Sequence, residues 1–321
     1  MSTFNRQFDV DGAEKAVHLP ENTWFRDLLK YWRPAGEAAG DHREPQNEPQ
    51  PEAVHLRLAI RDGYLNFYRA GQSVAEVRFS NGKLEGRVHN KYVYGEKGSG
   101  QKYVKITDGG FTGCDGSLVR YTDDLVRNWS LAACDYAGGE KLFVDELVAH
   151  NANVIDLEAG LPADPELWDE KSAPRMDLVA LEPCGNHWKL VFWEAKLVTN
   201  PEARCEGESP KVIGQLDKYE RWLKKNRNTV RESYRRSCED LVKLHAIAKS
   251  LCPDKADLGA GIVMVDGQDP SELCLDRQPR LIIDDTHKNA SFTAHGHLKK
   301  LRNLGVHVHM VQSAADMVLG G

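Results

Sequence analysis

RMDLVALEPCGNHWKLVFWEAK, residues 175–196, is the stretch whose reading decides the fold of this chain. Two apolar runs, Arg175–Leu181 and Lys189–Lys196, flank a Pro183–Asn186 segment rich in turn residues, a pattern that predicts two strands joined by a turn. Asp177 stands near the start of the first strand, and the second ends in Glu194-Ala195-Lys196. Residues two apart on a strand share a face. Glu194 and Lys196 therefore point together, while Ala195 turns into the core with its carbonyl left for a ligand. Phosphodiester hydrolysis near neutral pH needs a divalent cation to neutralise the phosphate and acidify a water. Mg²⁺ takes a few carboxylate oxygens plus waters, which Asp177, Glu194 and the Ala195 carbonyl can supply. Lys196 beside them can orient the attacking water or stabilise developing charge.

Upstream, Glu140–His150 predicts a helix with Leu142, Phe143, Val144 and Leu147 on its apolar face, then a strand over Asn153–Leu157. Downstream, helices are predicted over Lys211–Asn226 and Val230–Ser250, and buried strands over Gly261–Val265 and Leu281–Ile283. A short helix, His297–Asn303, leads to a last strand, Val306–Val311. Helix, three strands, helix, strand is an α/β pattern.

Asp177, a turn, and an apolar strand ending in Glu194-Ala195-Lys196 resemble the PD-(D/E)XK nuclease superfamily of restriction enzymes, resolvases and RecB-type nucleases. Gln215-Leu216-Asp217-Lys218-Tyr219 is similar to the Q-x-x-x-Y motif of the RecB-like branch. The resemblance covers residues 140–226, with a continuation to about 312. It implies a restriction-endonuclease-like α-β-β-β-α-β core, a mixed sheet flanked by helices, within a nuclease domain of residues 136–321. It implies Mg²⁺, with Mn²⁺ able to substitute, held by Asp177, Glu194 and Ala195. Glu146 on the upstream helix would order metal-bound water, and Arg175, Gln215 and Tyr219 would contact substrate or brace Lys196. The implied substrate is nucleic acid, most often DNA, cut to 5′-phosphate and 3′-hydroxyl ends in end-processing or antiviral defence. Two alternatives stay open: a site-specific restriction-type endonuclease, and an inactive nucleic-acid-binding subunit.

Residues 1–135 predict a β-rich module. A helix spans Trp24–Trp32, and Gly36–Glu52 reads as a linker. Alternation over Val54–Arg61, then Tyr64–Tyr68, Val74–Phe79 and Leu84–Val88, separated by Asp62-Gly63, Ala70-Gly71 and Asn81-Gly82, predicts an antiparallel meander. Gln101–Thr107 adds a strand. No metal or nucleophile signature falls here; a homodimer or partner-protein contact is the role this module leaves open.

Of 321 residues 41% are hydrophobic, enough for a sizeable core, and no apolar run approaches a membrane span. Without an apolar stretch near its start, the chain is expected in the cytoplasm. Seven cysteines without a C-x-x-C pair predict reduced thiols, neither a zinc site nor an iron–sulfur cluster. The formal net charge of −6 argues against indiscriminate DNA coating. Lys211–Lys249 nevertheless holds eleven Lys and Arg against five acids, which suits either a phosphate-tracking face or a helix pair laced with i, i+4 ion pairs.

Plainer readings compete throughout. Asp177 can also be read as a strand-end acid, Glu194–Lys196 as a surface ion pair and Glu146 as a solvated helix residue. Gln215 and Tyr219 also suit an ordinary amphipathic helix. His150 suits a helix end, and Asp156 and Glu158 suit strand ends better than metal ligands. Trp222 and Tyr234 read as base-stacking rings or as core. His307 and His309 share a strand face without a usefully spaced acid or cysteine. Asp169-Glu170-Lys171 lacks a preceding apolar strand and reads as solvated.

Overall fold

The computed structural model describes residues 4–37, 54–94, 103–107, 110–112, 118–122, 124–167, 174–204, 209–266 and 272–319. Nearly all of the linker-like Gly36–Glu52 stretch, and the Asp169-Glu170-Lys171 tripeptide, lie outside the described residues.

Two helices, α1 (Val10–Val17) and α2 (Thr23–Tyr31), precede seven antiparallel strands arranged in chain order across one sheet. These are β1 (Arg57–Arg61), β2 (Tyr64–Arg69), β3 (Gln72–Ser80), β4 (Lys83–His89), β5 (Tyr103–Thr107), β6 (Gly110–Thr112) and β7 (Leu118–Arg120). Helix α3 (Asn90–Tyr94) joins β4 to β5, and α4 (Leu125–Cys134) follows β7. The meander was legible as far as β5. Strands β6 and β7, three residues each, are too short to carry an alternation. Ala70-Gly71 (φ 46° and 66°) and Asn81-Gly82 (φ 51° and 75°) place both turn residues in the left-handed region. That matches the twist of flanking strands in a two-residue hairpin.

The second sheet follows α5 (Gly139–His150). Its strands are β8 (Val154–Gly160), β9 (Arg175–Cys184), β10 (His187–Leu197), β11 (Cys274–Leu275), β12 (Arg280–Asp284) and β13 (Val308–Val311). Between them lie α6 (Lys211–Lys225), α7 (Arg227–Leu251), α8 (Ala260–Val265), α9 (Ala290–Ala294) and α10 (His297–Asn303). The spatial order is β13-β12-β10-β9-β8, with β11 also on β10. Strands β8, β9 and β10 are antiparallel, while β11, β12 and β13 run parallel to their neighbours. The fold is α/β with a mixed sheet.

Alternation along β9 and β10 sorts the core. Val179, Leu181, Leu190 and Phe192 join a buried cluster with Val212, Leu216, Tyr219, Trp222 and Tyr234 of α6 and α7. Leu178, Val191, Trp193 and Ala195 join Phe143, Val144 and Leu147 of α5 on the opposite face. The first cluster continues into Trp24, Leu28, Leu56 and Phe67, so both sheets share one core. Trp222 and Tyr234 are thus core residues; the Phe4 ring packs against them at 5.2 and 5.6 Å.

Three local expectations are corrected. Gly261–Val265 is helical, within α8, where a strand was expected; a short apolar run reads alike in either state, and packing decides. A Cβ on Gly259 would stand 2.2 Å from the Ala152 carbonyl oxygen, and the Gly261 N–H donates to Asn153 Oδ1 at 2.8 Å. Leu142 is 47% exposed rather than part of the α5 apolar face, whose fourth member is Val148. Asp156 and Glu158, expected as strand-end carboxylates, lie within β8 and are buried. Asp156 pairs with Arg61 and, at 3.0 Å, with Arg6, and accepts from the Tyr234 hydroxyl at 2.9 Å. His55 and Arg57 reach Asp145 of α5 at 3.1 and 3.4 Å. The polar face of β1 is therefore a buried joint between the sheets.

Candidate functional site

Along the β9–β10 ladder the last rung pairs Leu178 with Trp193. One step further sets Asp177 opposite Glu194, and facing residues of an antiparallel pair lie on the same side of the sheet. Asp177 shares its face with Val179 and Leu181, Glu194 with Leu190 and Phe192, all four in one buried cluster. At this end of the ladder Asp177 Oδ2 accepts the Ala195 N–H at 2.8 Å. A strand residue's N–H and C=O leave on the same side, so the Ala195 carbonyl lies along the Asp177 edge. Ala195 itself is buried, as its alternation required.

Burial pushes the Asp177 carboxyl upward, against the lowering effect of the Ala195 N–H and Lys196. Glu194, only 3% exposed, is pushed up to about 8 by burial and then by repulsion from Asp177, with Lys196 acting against both. Lys196 Nζ lies 2.8 Å from Glu194 Oε1, 3.4 Å from Glu140 Oε1 and 3.4 Å from Glu202 Oε2. Burial works against its charge, but Glu194, Glu140 and Asp177 outweigh it and raise its pKa. Lys196 is a fixed cation at neutral pH. It can donate hydrogen bonds and hold charge, but it cannot take up a proton.

The helix acid brought to Lys196 is Glu140, in the first turn of α5. Glu146, expected from the resemblance, lies six residues on, about 9 Å along the axis and turned about 120° around it. Glu140 Oε2 also accepts from Asn200 Nδ2 at 2.7 Å, and Asn200 Oδ1 accepts the Glu202 N–H at 2.8 Å. Glu140, Asn200 and Glu202 were missed in the sequence. No motif marks them, because a helix start and a loop converge on the end of β10 only in three dimensions.

On α6, Tyr219 is buried and donates its hydroxyl to the Arg175 carbonyl at 2.7 Å. Burial, then Glu194 and Asp177, raise its pKa, so it stays a neutral donor. Gln215 sits one turn before it. Arg175, two residues before Asp177 on the same strand face, reaches Glu158 at 3.3 Å, as does Lys141 at closer range. His150 Nδ1 bonds the Glu146 carbonyl at 2.8 Å, a helix-end contact. His307 and His309 pack against the Trp193 ring at 6.1 and 6.3 Å. Within the basic 211–249 stretch, Lys224, Arg235 and Arg236 make i, i+4 pairs with Glu220, Glu239 and Glu232, while Lys225, Lys243 and Lys249 pair with Asp164, Asp11 and Asp257 outside it.

Among the described residues no group of three or more His, Cys, Asp or Glu side chains is arranged to hold a metal ion. The donor set expected from the sequence is of another kind: two carboxylates and a main-chain carbonyl. Glu194 Oε2 and Gln215 Oε1 are buried acceptors with no hydrogen-bond donor. Leaving such atoms bare is unfavourable, and a hard divalent cation that keeps its own waters satisfies oxygens of this sort. Two acids pushed upward, Asp177 by burial and Glu194 by burial and then by Asp177, fit the same group. No family model, curated protein or solved structure matches this chain.

Proposed function

We propose that this chain is a divalent-metal-dependent phosphodiester hydrolase acting on nucleic acid, DNA before RNA, with a PD-(D/E)XK-type core. The observation that carries the reading is the pairing of Asp177 and Glu194 on one face of adjacent strands, with Lys196 held 2.8 Å from Glu194. The order α5-β8-β9-β10-α6-β12, with α7, α8 and the short β11 inserted, and the proximity of Tyr219 to both acids, support it further.

Asp177, Glu194 and the Ala195 carbonyl would hold Mg²⁺ or Mn²⁺. When bound, that ion would neutralise the scissile phosphate and lower the pKa of its water. Lys196 donates Nζ hydrogen bonds toward the reacting phosphate or the water that attacks it. Its charge is fixed by Glu194, Glu140 and Asp177, so it stabilises negative charge without proton exchange. Glu140 and Asn200 are positioning residues that aim Lys196. Tyr219 fixes the Arg175 backbone, and with it the start of the strand that carries Asp177.

Incubating the purified chain with linear and closed circular DNA in Mg²⁺, Mn²⁺ or chelator tests the reading. Cutting is expected in either metal and not in chelator; circles nicked or linearised indicate an endonuclease, circles spared an exonuclease. DNA binding without cutting in every metal would overturn it. The helix acid is tested separately. Glu140→Gln should lower the cutting rate about tenfold or more by loosening Lys196, while Glu146→Gln leaves it within twofold (roughly wild type, since it lies outside the lysine's reach). The reverse ranking in a steady-state rate assay would return the role to Glu146.

A further inference from the structure

A cleft of about 580 Å³ opens between the first sheet and the β8–β9 edge of the second. One wall is the meander, which contributes Tyr64 of β2, Lys91 and Tyr92 of α3, and Tyr103 of β5. The other wall contributes Lys141 of α5, Glu158 of β8 and Arg175 of β9. This second wall borders the acids directly. Arg175 shares a strand face with Asp177, and Lys141 follows Glu140 in the first turn of α5. The Lys141 ammonium lies within the field of both Asp177 and Glu194.

We propose that this cleft receives one or two unpaired nucleotides and leads the adjoining phosphodiester to Asp177 and Glu194, which makes the meander the strand-selecting part of the molecule. The proposal rests on the phosphodiesterase reading for the second half of its statement. Three features point to this occupant. The volume falls within the roughly 300–1,000 Å³ typical of small-ligand pockets. A B-form duplex, whose major groove alone is about 12 Å across, does not enter such a space. The chemistry of the walls is the second feature: tyrosine rings beside Lys and Arg suit stacked bases and a tracked backbone. Tyr64 and Tyr103 are half-buried; Arg78 lies over the Tyr64 ring at 4.3 Å, and His89 meets the Tyr103 ring edge-on at 5.3 Å, so the cleft already holds a cation and a ring against its tyrosines. Third, the cleft is braced. The Ala70-Gly71 hairpin turn bears on the stem of Lys141, and a Cβ on Gly71 (φ 66°) would stand 2.6 Å from Lys141 Cδ. The meander thereby fixes a cation beside the acids.

Fluorescence anisotropy with a labelled 12-nucleotide single strand and a blunt duplex, in chelator so that nothing is cut, tests the cleft by itself. The single strand should bind at least about tenfold more tightly than the duplex. The Tyr64→Ala/Tyr103→Ala double variant should lose about tenfold or more of that affinity, and the Tyr→Phe pair, which keeps the rings, should retain it. Thermal melts of all variants identify loss by unfolding, and the Phe pair stays informative if the Ala pair melts early. Duplex preferred over single strand, or full affinity in a folded Ala pair, overturns the proposal. A parallel cutting assay in Mg²⁺ separates the two ideas: wild type that cuts while the folded Ala pair still binds like wild type sinks the cleft alone. Tyrosine-dependent single-strand binding with no cutting in any metal supports the cleft and sinks the hydrolase.

Discussion

Lys196→Ala should abolish metal-dependent cutting while leaving the binding of uncut nucleic acid in chelator nearly unchanged. The split follows from where the ammonium sits. Lys196 is 5% exposed and enclosed by Glu194, Glu140 and Glu202, too deep to serve as a general phosphate-tracking cation. Its charge acts only on what is held between the acids. Removing a preorganised donor of this kind lowers kcat by about 10²–10³, and the KM for substrate should change little. The variant also leaves three carboxylates around an empty position, so some loss of stability is expected, by analogy with broken buried pairs. Lys196→Arg controls for this. It restores the charge, so it should recover melting temperature, but its planar guanidinium replaces a compact ammonium and should recover only part of kcat. Alanine and wild-type proteins cutting at equal rates would remove the lysine from the mechanism.

The strands that carry the site were legible because period-two patterning fixes both the existence of a strand and the side each residue takes. That Glu194 and Lys196 share a side, and that Ala195 turns inward, follow from that pattern alone; that Asp177 lies on the side of Glu194 needed the register of β9 against β10. Residues that complete the site were not legible. Glu140 looks like any glutamate in the first turn of a helix, and only the docking of α5 against the end of β10 gives it a partner. The same limit hid the joint between the sheets. His55, Arg57 and Arg61 keep the polar half of a clean alternation, yet all three are buried because Asp145 and Asp156 meet them across the interface. Alternation states which residues share a side; it does not state whether water or another element lies there. For the 211–249 stretch composition could not show where the cations find partners: Lys225, Lys243 and Lys249 meet Asp164, Asp11 and Asp257, all outside the stretch.

Glu194→Gln should stabilise the metal-free protein at pH 8 and abolish its stabilisation by Mg²⁺. In the folded state Glu194 holds its proton up to about 8, whereas its ordinary value is 4.5. Between those two values the native state binds a proton that the unfolded chain releases. Stability from this group is therefore full below about 4.5 and is lost as pH rises toward about 8. Each unit of such a difference is worth about 1.4 kcal/mol, so the whole window amounts to a few kcal/mol. Glutamine is neutral throughout and lacks the slope. Melting curves from pH 5.5 to 8.5 without metal should therefore diverge, with the gap growing by roughly 5 °C or more in favour of the variant. Because the lost Glu194–Lys196 contact shifts the glutamine curve by a nearly constant amount in this range, the change of the gap with pH is the quantity to read. Mg²⁺ reverses the order. It should raise the wild-type melting temperature most at high pH, where the carboxylate has already given up its proton, and progressively less as pH falls. Glutamine at this position offers no charge and should show little response. Parallel pH profiles for the two proteins, or equal Mg²⁺ stabilisation of both, would mean that Glu194 is neither strained by its neighbours nor a ligand.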